Sequence, residues 1–412
     1  MSKSKAFLFM CYKPFLFVVV LCYFPGLNNG LNAQIESDEK PLLDITDGLS
    51  FKKDSVFKLN LRFRMQNRFG FQSVDGENPF GIRHFDARVR RMRLRLDGYL
   101  INRKLQYYVQ LSFSRWDQNL ESGAIAQTVR DAILYYSVNK NLYFGFGQSK
   151  LPGNRQRVIS SGNLQFADRS IANSTFNIDR DFGFFGYYTL PAGNSVWYLK
   201  GAITTGEGRN ALTYNNGLCY TGRLEFLPFG VFEQNTDYME GDFTYSDKPG
   251  LSLALTYSYN NKAVFSAGQL GSLMPRTQDF QYIIADVMFK YRGWAFMGEY
   301  FDKRADYSVF FDEGAQRMRT IPAGKGYNSQ FSYCFPSLYE PAVRFAGVFP
   351  ERNSERFRPA HQECWLGVTK YINGHRIKAQ LNIIYTWLDK RFTPDNSELN
   401  YWSGMFQVEF GI

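Results

Sequence analysis

From Phe57 onward the chain alternates. Phe57, Leu59, Leu61, Phe63, Met65 and Phe69 fall on one parity, and Lys58, Asn60, Arg62, Arg64, Gln66 and Arg68 fall on the other. A period of two sustained this long is a strand with one apolar and one wetted face. The pattern returns at Leu94 and Leu96 against Arg91, Arg93 and Arg95, and at Tyr107, Val109 and Leu111 against Gln106, Gln110 and Ser112. It returns again at Leu251, Leu253, Leu255, Tyr257 and Tyr259, at Ile377, Leu381, Ile383 and Tyr385, and at Trp402, Phe406, Val408 and Phe410. Residues 182–190 alternate poorly. A soluble sandwich or propeller also alternates, but it keeps its polar face outside and buries its aromatics. Here the apolar parity is Phe, Tyr, Trp and Leu, and the opposite parity is charged. With 39 Phe and 27 Tyr in 412 residues, yet 21% charged residues, one strand face meets lipid and the other meets water. The expected fold is an all-β, transmembrane antiparallel β-barrel.

Connection lengths give the topology. Short turns are expected at 98–104, 139–141, 191–194, 292–293, 336–337 and 373–374, the last an Asn-Gly pair suited to positive φ. Long connections are expected at 70–84, 116–128, 149–181, 205–216, 261–278, 302–325, 350–361 and 389–400. Short periplasmic turns alternating with long external loops are the habit of membrane barrels. Eight long loops imply about 16 strands, and an even count leaves both ends in the periplasm. One stretch breaks the rule: 228–249 is long where a short turn is due.

Residues 1–33 read as a cleaved signal peptide, with Lys3, Lys5 and Lys13 ahead of a short apolar run and Ala33 at the cleavage position. That run is too short to span a bilayer. Residues 34–56 are a periplasmic lead-in without clear period, and 57–412 form the barrel. Removing the signal leaves 45 basic and 38 acidic residues, a net charge of +7. Cys219, Cys334 and Cys364 remain; an odd number permits one bridge without requiring it. With no CxxC motif and three histidines, no metal or cofactor is expected.

The connection at 149–181 is the expected functional element, because a loop this long between strands is uncommon. It carries Lys150, Arg155, Arg157, Arg169 and Arg180 against Asp168, Asp179 and Asp181. It is expected to fold into the barrel mouth as a constriction, with the three aspartates as its anchors. Arg62, Arg64, Arg68, Arg91, Arg93 and Arg95 share the wet parity of neighbouring strands and form a candidate pore-lining, anion-attracting wall. Guanidinium is always charged and forks onto phosphate or carboxylate oxygens. Acids such as Asp86 or Glu299 are candidates to neutralise it.

The chain resembles the phosphate-selective porins O and P. The resemblance is carried by Arg91-Met-Arg-Leu-Arg-Leu-Asp-Gly98, Asp131-Ala132, Gly147-Gln-Ser-Lys-Leu-Pro152 and Phe166-Ala-Asp-Arg-Ser170, followed by Asn177-Ile-Asp-Arg-Asp-Phe-Gly183, Leu227-Pro-Phe-Gly230 and Leu338-Tyr-Glu-Pro-Ala-Val-Arg344. The segment up to Ala33-Gln34 resembles the Bacteroidetes version. The resemblance implies a sixteen-stranded homotrimeric porin of the Gram-negative outer membrane with an inward-folded third loop and a basic lumen. Its partners would be outer-membrane lipid and small anions such as phosphate. A central lysine cluster is not matched: Lys150 is the one lysine near the loop. The final Ile412 also departs from the usual terminal aromatic.

A porin needs a wet lumen, a constriction and a field, and no catalytic residue. Two other functions compete. An adhesion barrel or partner of surface machinery would show a sealed lumen. A barrel enzyme such as a lipid hydrolase would need a nucleophile beside His84 or His361, and no such context is visible in the sequence. Nucleic-acid binding is disfavoured, because the basic residues follow strand parity instead of forming a patch.

Overall fold

The computed structural model describes residues 48–53, 55–74, 81–115, 127–212, 215–269, 271–312, 316–388 and 400–412. The expected signal peptide, most of the lead-in, and the central parts of the expected loops at 116–128 and 389–400 lie outside them. The strands are β1 (Leu49–Lys53), β2 (Phe57–Ser73), β3 (Ile82–Leu100), β4 (Leu105–Ser112), β5 (Val129–Ser137) and β6 (Leu142–Lys150). Two short helices follow, α1 (Arg155–Val158) and α2 (Ile171–Phe176). Then come β7 (Arg180–Ala192), β8 (Ser195–Thr204), β9 (Cys219–Leu227), β10 (Gly250–Gln269), β11 (Leu273–Tyr291) and β12 (Trp294–Ala305). The last are β13 (Val309–Asp312), β14 (Arg317–Thr320), β15 (Gly324–Tyr333), β16 (Tyr339–Pro350), β17 (His361–Asn373), β18 (Ile377–Leu388) and β19 (Asn400–Gly411).

From β2 to β12 each strand pairs antiparallel with the next, and β12 pairs with β15 across the separate β13–β14 hairpin. Pairing of β19 with β2, from Ser403↔Gln72 to Gly411↔Arg64, closes a barrel of sixteen strands. The closed ladder removes the free edges that a bilayer would not tolerate. On β10, Leu253, Leu255 and Tyr257 are 45%, 55% and 49% exposed, while Ser252, Thr256 and Ser258 are fully buried. The barrel is therefore apolar outside and polar inside, as the parity predicts. Arg155, Lys290, Lys303, Arg344 and Lys378 are among its most buried side chains.

Three details differ from the sequence reading. The expected long loop at 261–278 is instead a continuation of β10 and β11, with register shifts, leaving only 270–272 between them. The lead-in lacks a period, yet its end pairs with β2 from Leu49↔Leu61 to Lys53↔Phe57, on the flank that β19 leaves free. The two-residue turn with two positive φ angles is Arg292-Gly293, at +46° and +85°. At Asn373-Gly374 only Gly374 is positive, at +49°, and the turn extends through Arg376. Cys219, Cys334 and Cys364 form no disulfide among the described residues, one of the two outcomes that the odd count left open.

Candidate functional site

Residues 151–179 leave the long-loop rim and fold into the lumen. Apolar side chains seat them: Ile159, Leu164, Phe166, Ala172 and Phe176 are buried, with Phe176 against Phe301 and Phe166 edge-on to Trp365. Arg155 reaches the wall of β9–β11. Its Nε donates to Asp286 at 2.9 Å, Nη2 donates to Ser252 at 2.6 Å and lies 3.5 Å from Glu225, and Nη1 donates to the Asp237 carbonyl. Arg223 binds the same two carboxylates. A buried ionic array is tolerated when its groups are paired in this way. The Asn154 amide and the Gln156 N–H both donate to Glu299, and the Gln156 side chain continues to Glu240.

The other loop cations stay close to the loop. Lys150 donates to the Val158 and Ile159 carbonyls, and Arg169 to those of Gln156 and Ile159. Arg157 and Arg180 both hold Asp179, and Arg180 also pairs with Asp131 at 2.8 Å.

Asp168 sits under three guanidiniums, Arg68 at 2.8 Å, Arg91 at 3.2 Å and Arg90 at 3.3 Å. A β-bulge makes this possible. Gln66 pairs with Arg91 and Asn67 with Val89, so Arg90 is the extra residue of the bulge, next to Arg91. Burial alone would raise the Asp168 carboxyl, but Arg90, Arg68 and Arg91 outweigh it and hold it well below the usual carboxylate range. Asp179 follows the same logic under Arg157 and Arg180. Asp181 lies in β7 and accepts from Thr205 and the Gly206 N–H, so it fastens the following connection.

Of the six candidate wall arginines, Arg68 and Arg91 are thus turned onto Asp168. Arg64 donates to Ser160 and Ser161 and lies 3.6 Å from Glu409; Arg93 donates to Ser161. Arg95 pairs with Asp97 and lies over the Tyr108 ring. Arg62 is exposed and forms no ion pair among the described residues. The loop passes this wall at Gly162, where a Cβ would stand 2.0 Å from Arg64 Nη1. Asp86 pairs with Arg88, not with this group.

Residues 228–249 also fold inward, from the rim of short turns. Glu240 is fully buried. Its N–H donates to the Asn163 carbonyl at 2.8 Å, and its carboxylate accepts from the Gln156 side chain and the Gln165 N–H, each at 3.0 Å. Its carbonyl accepts from His375 Nε2 at 3.1 Å, and Lys378 Nζ lies 3.0 Å from His375 Nδ1. Lys378 also donates to the Gly162 and Leu164 carbonyls. The two inward segments therefore meet inside the barrel. The sequence reading missed Glu225, Asp286, Glu240, His375 and Lys378. The one available signal was the unexplained length of 228–249.

A cavity of about 700 Å³ remains between the loop and the β2–β7 wall. Arg62, Arg64, Arg93, Arg95, Lys150, Arg180 and Arg376 line it, with Asp131 and Glu409 as its carboxylates. Both carboxylates lie beside cations, Asp131 on Arg180 and Glu409 near Arg64 and Lys378.

The family model for phosphate-selective porins O and P matches residues 57–259, the span of β2–β9, both inward segments and the start of β10. Over these residues the chain belongs to that family. Solved structures agree on the fold. The anion-selective porin from Comamonas acidovorans superposes with a TM-score of 0.53 at 10% identity, covering 86% of this chain and 100% of that one. OmpT of Vibrio cholerae, in its trimer form, gives 0.52 at 11%, covering 87% and 100%. The outer-membrane channel DcaP of Acinetobacter baumannii gives 0.52 at 12%, covering 87% and 99%. No curated protein matches the sequence. The protein is an outer-membrane porin.

Proposed function

We propose that this porin is an anion-preferring channel for passive diffusion of small anionic solutes, phosphate among them. One observation carries the reading: seven cations and two carboxylates line the remaining lumenal cavity, and both carboxylates are engaged by cations. Fixed charge between low-dielectric walls focuses its field, which attracts anions and repels cations. Arg62, Arg64, Arg93 and Arg95 supply that field, while Arg68 and Arg91 secure the constriction loop through Asp168. Arg155, Arg157, Arg169 and Arg180 shape the loop, with Asp179 at its base. The apolar outer belt takes outer-membrane lipid, and the trimer form recorded for OmpT supports a homotrimer here. Residues 1–33 are removed on export, and 34–56 lead into the barrel from the periplasm.

A second reading, a barrel serving mainly as a surface partner, is favoured by the meeting of the two inward segments at Glu240. Planar-bilayer recording separates the two. Stepwise conductance with a reversal potential of anion sign in a salt gradient is expected. A cation-sign potential overturns the preference, and an inserted but silent barrel favours the second reading.

A further inference from the structure

Inward aromatics on β11 and β12, Phe280, Tyr282 and Phe301, are buried, but tyrosines on the wall of β4–β7 stay partly open. Tyr108, Tyr135, Tyr143 and Tyr187 all sit on the inward parity of their strands. Tyr143 and Tyr187 stack at 4.6 Å and 12°, and Tyr135 stands edge-on to both, at 5.9 and 6.3 Å. Tyr108, Tyr135 and Tyr187 form the half-open edge of the buried cluster containing Ile133 and Phe185, and all three line the 700 Å³ cavity. The same cavity holds the guanidiniums of Arg62 and Arg95, the latter 4.7 Å from the Tyr108 ring centre.

Hydrated inorganic anions gain nothing from tyrosine faces, whose negative quadrupole attracts cations. A cavity of this volume accommodates a small organic molecule, and such sites pair apolar and aromatic walls with a few placed charges. Rings meet tyrosine favourably edge-on or offset, while a carboxylate or phosphate group meets arginine through paired hydrogen bonds. We infer that the cavity binds an organic anion with a planar aromatic body, its charged group toward Arg62 and Arg95 and its ring on Tyr135 and Tyr187. The inference rests on the anion-channel reading and narrows it: the preferred solute is an aryl anion, with inorganic phosphate a poorer fit.

The test uses the full-length barrel in planar bilayers carrying chloride current. Benzoate, phenyl phosphate, acetate and inorganic phosphate are added separately. Benzoate and phenyl phosphate are expected to interrupt the current at about tenfold lower concentration than acetate and inorganic phosphate respectively, from one or two ring contacts. The paired comparisons separate ring from headgroup. Tyr135→Ser with Tyr187→Ser is expected to abolish the benzoate-to-acetate ratio, and Tyr135→Phe with Tyr187→Phe to keep it. Equal block by benzoate and acetate overturns the inference while leaving the anion channel standing. If the barrel carries no anion current, calorimetric titration of benzoate into the detergent-solubilised protein decides. Saturable binding that the serine pair removes and the phenylalanine pair retains supports the site, and absence of binding overturns it.

Discussion

Two segments enter this barrel from opposite rims, and their charges are opposite. Residues 151–179 carry three arginines and two aspartates, net +1. Residues 228–249 carry five acids and one lysine, net −4. The first brings Arg155 to acids of the wall, Glu225 and Asp286. The second brings a backbone carbonyl and a tyrosine hydroxyl to cations of the wall. Lys290 donates to the Thr236 carbonyl, and Tyr238 shares Glu225 with Lys200. Where the segments touch, an acid of the second, Glu240, accepts from Gln156 and Gln165 of the first. Each segment is thus complementary to the wall it reaches and to the other. That arrangement fills the β9–β18 side of the lumen and leaves the basic cavity against β2–β7.

Removing the first segment is expected to have the largest effect. Deleting residues 154–175 takes away Arg155, Gln156 and Asp168 together, so the Glu240 carboxylate loses its donors Gln156 and Gln165, and the wall acids lose Arg155 but keep Arg223. Single-channel conductance is expected to rise severalfold and selectivity to weaken, because the barrel ladder does not include these residues. An assembled barrel with unaltered conductance would place the segment away from the ion path.

A smaller effect is expected from the cavity charges. Arg64→Glu with Arg93→Glu changes the local charge by four while leaving polar groups on the wet parity. The same charges on the lipid face would each cost about 2–4 kcal/mol near the midplane, so the doubly substituted barrel inserts only if these positions face water. Anion preference, read from reversal potentials, is expected to fall or reverse at low salt. The change shrinks toward 1 M, where the screening length is about 3 Å. Unaltered selectivity in an inserted barrel would show that the loop, not the wall, sets the field.

How much of this was legible follows from the physics of each signal. The alternation of β2, β10, β18 and β19 was readable because each strand has one lipid and one water face. Residues 182–190 read poorly for a reason the structure supplies: Phe185 and Tyr187 point inward, so both faces of β7 are apolar there. Arg68 and Arg91 obeyed the expected parity, but parity gives a direction and not a partner. Their turn onto Asp168 depends on a bulge that only the pairing register reveals. The second segment was visible only as an overlong turn, since contacts such as Glu240 with Asn163 join residues far apart in sequence.

The junction is sharpened by pH. His375 is buried at the turn after β17, with Phe243 and Tyr371 edge-on to its ring. Nε2–H donates to the Glu240 carbonyl, and Nδ1 accepts from Lys378. Burial first, then the charges of Lys378 and Lys290, hold its pKa well below the usual histidine value. The packed junction therefore keeps His375 neutral, while an opened junction lets it protonate near pH 6.5. Stability of the junction is unaffected above that pH. It is expected to fall below it by up to about 1.4 kcal/mol per pH unit, until the depressed pKa is reached. Current fluctuations should increase between pH 6.5 and 5, and His375→Gln should flatten that dependence. Fluctuations that do not change with pH would mean the junction stays closed with a charged ring or is held by other contacts.

The smallest expected effect is at Gly162, the point where the first segment brushes the arginine wall. A methyl group there would stand 2.0 Å from Arg64 Nη1 and 2.7 Å from Glu409 Oε1. Both atoms end flexible side chains, so Gly162→Ala is accommodated by moving the guanidinium, not the strand. The movement breaks the 2.8 Å bond from Arg64 to Ser161 and loosens its pairing with Glu409. Losing one such contact costs about 1 kcal/mol, small beside the whole set that seats the segment. The barrel is expected to assemble with the same heat-modifiable mobility and nearly the same conductance. Arg64, released from Ser161, should add its charge more fully to the cavity, giving a slight increase in anion preference at low salt. A large loss of conductance would mean that the segment shifts as a unit instead, and that its hold on the wall at Ser161 is what fixes its position in the lumen.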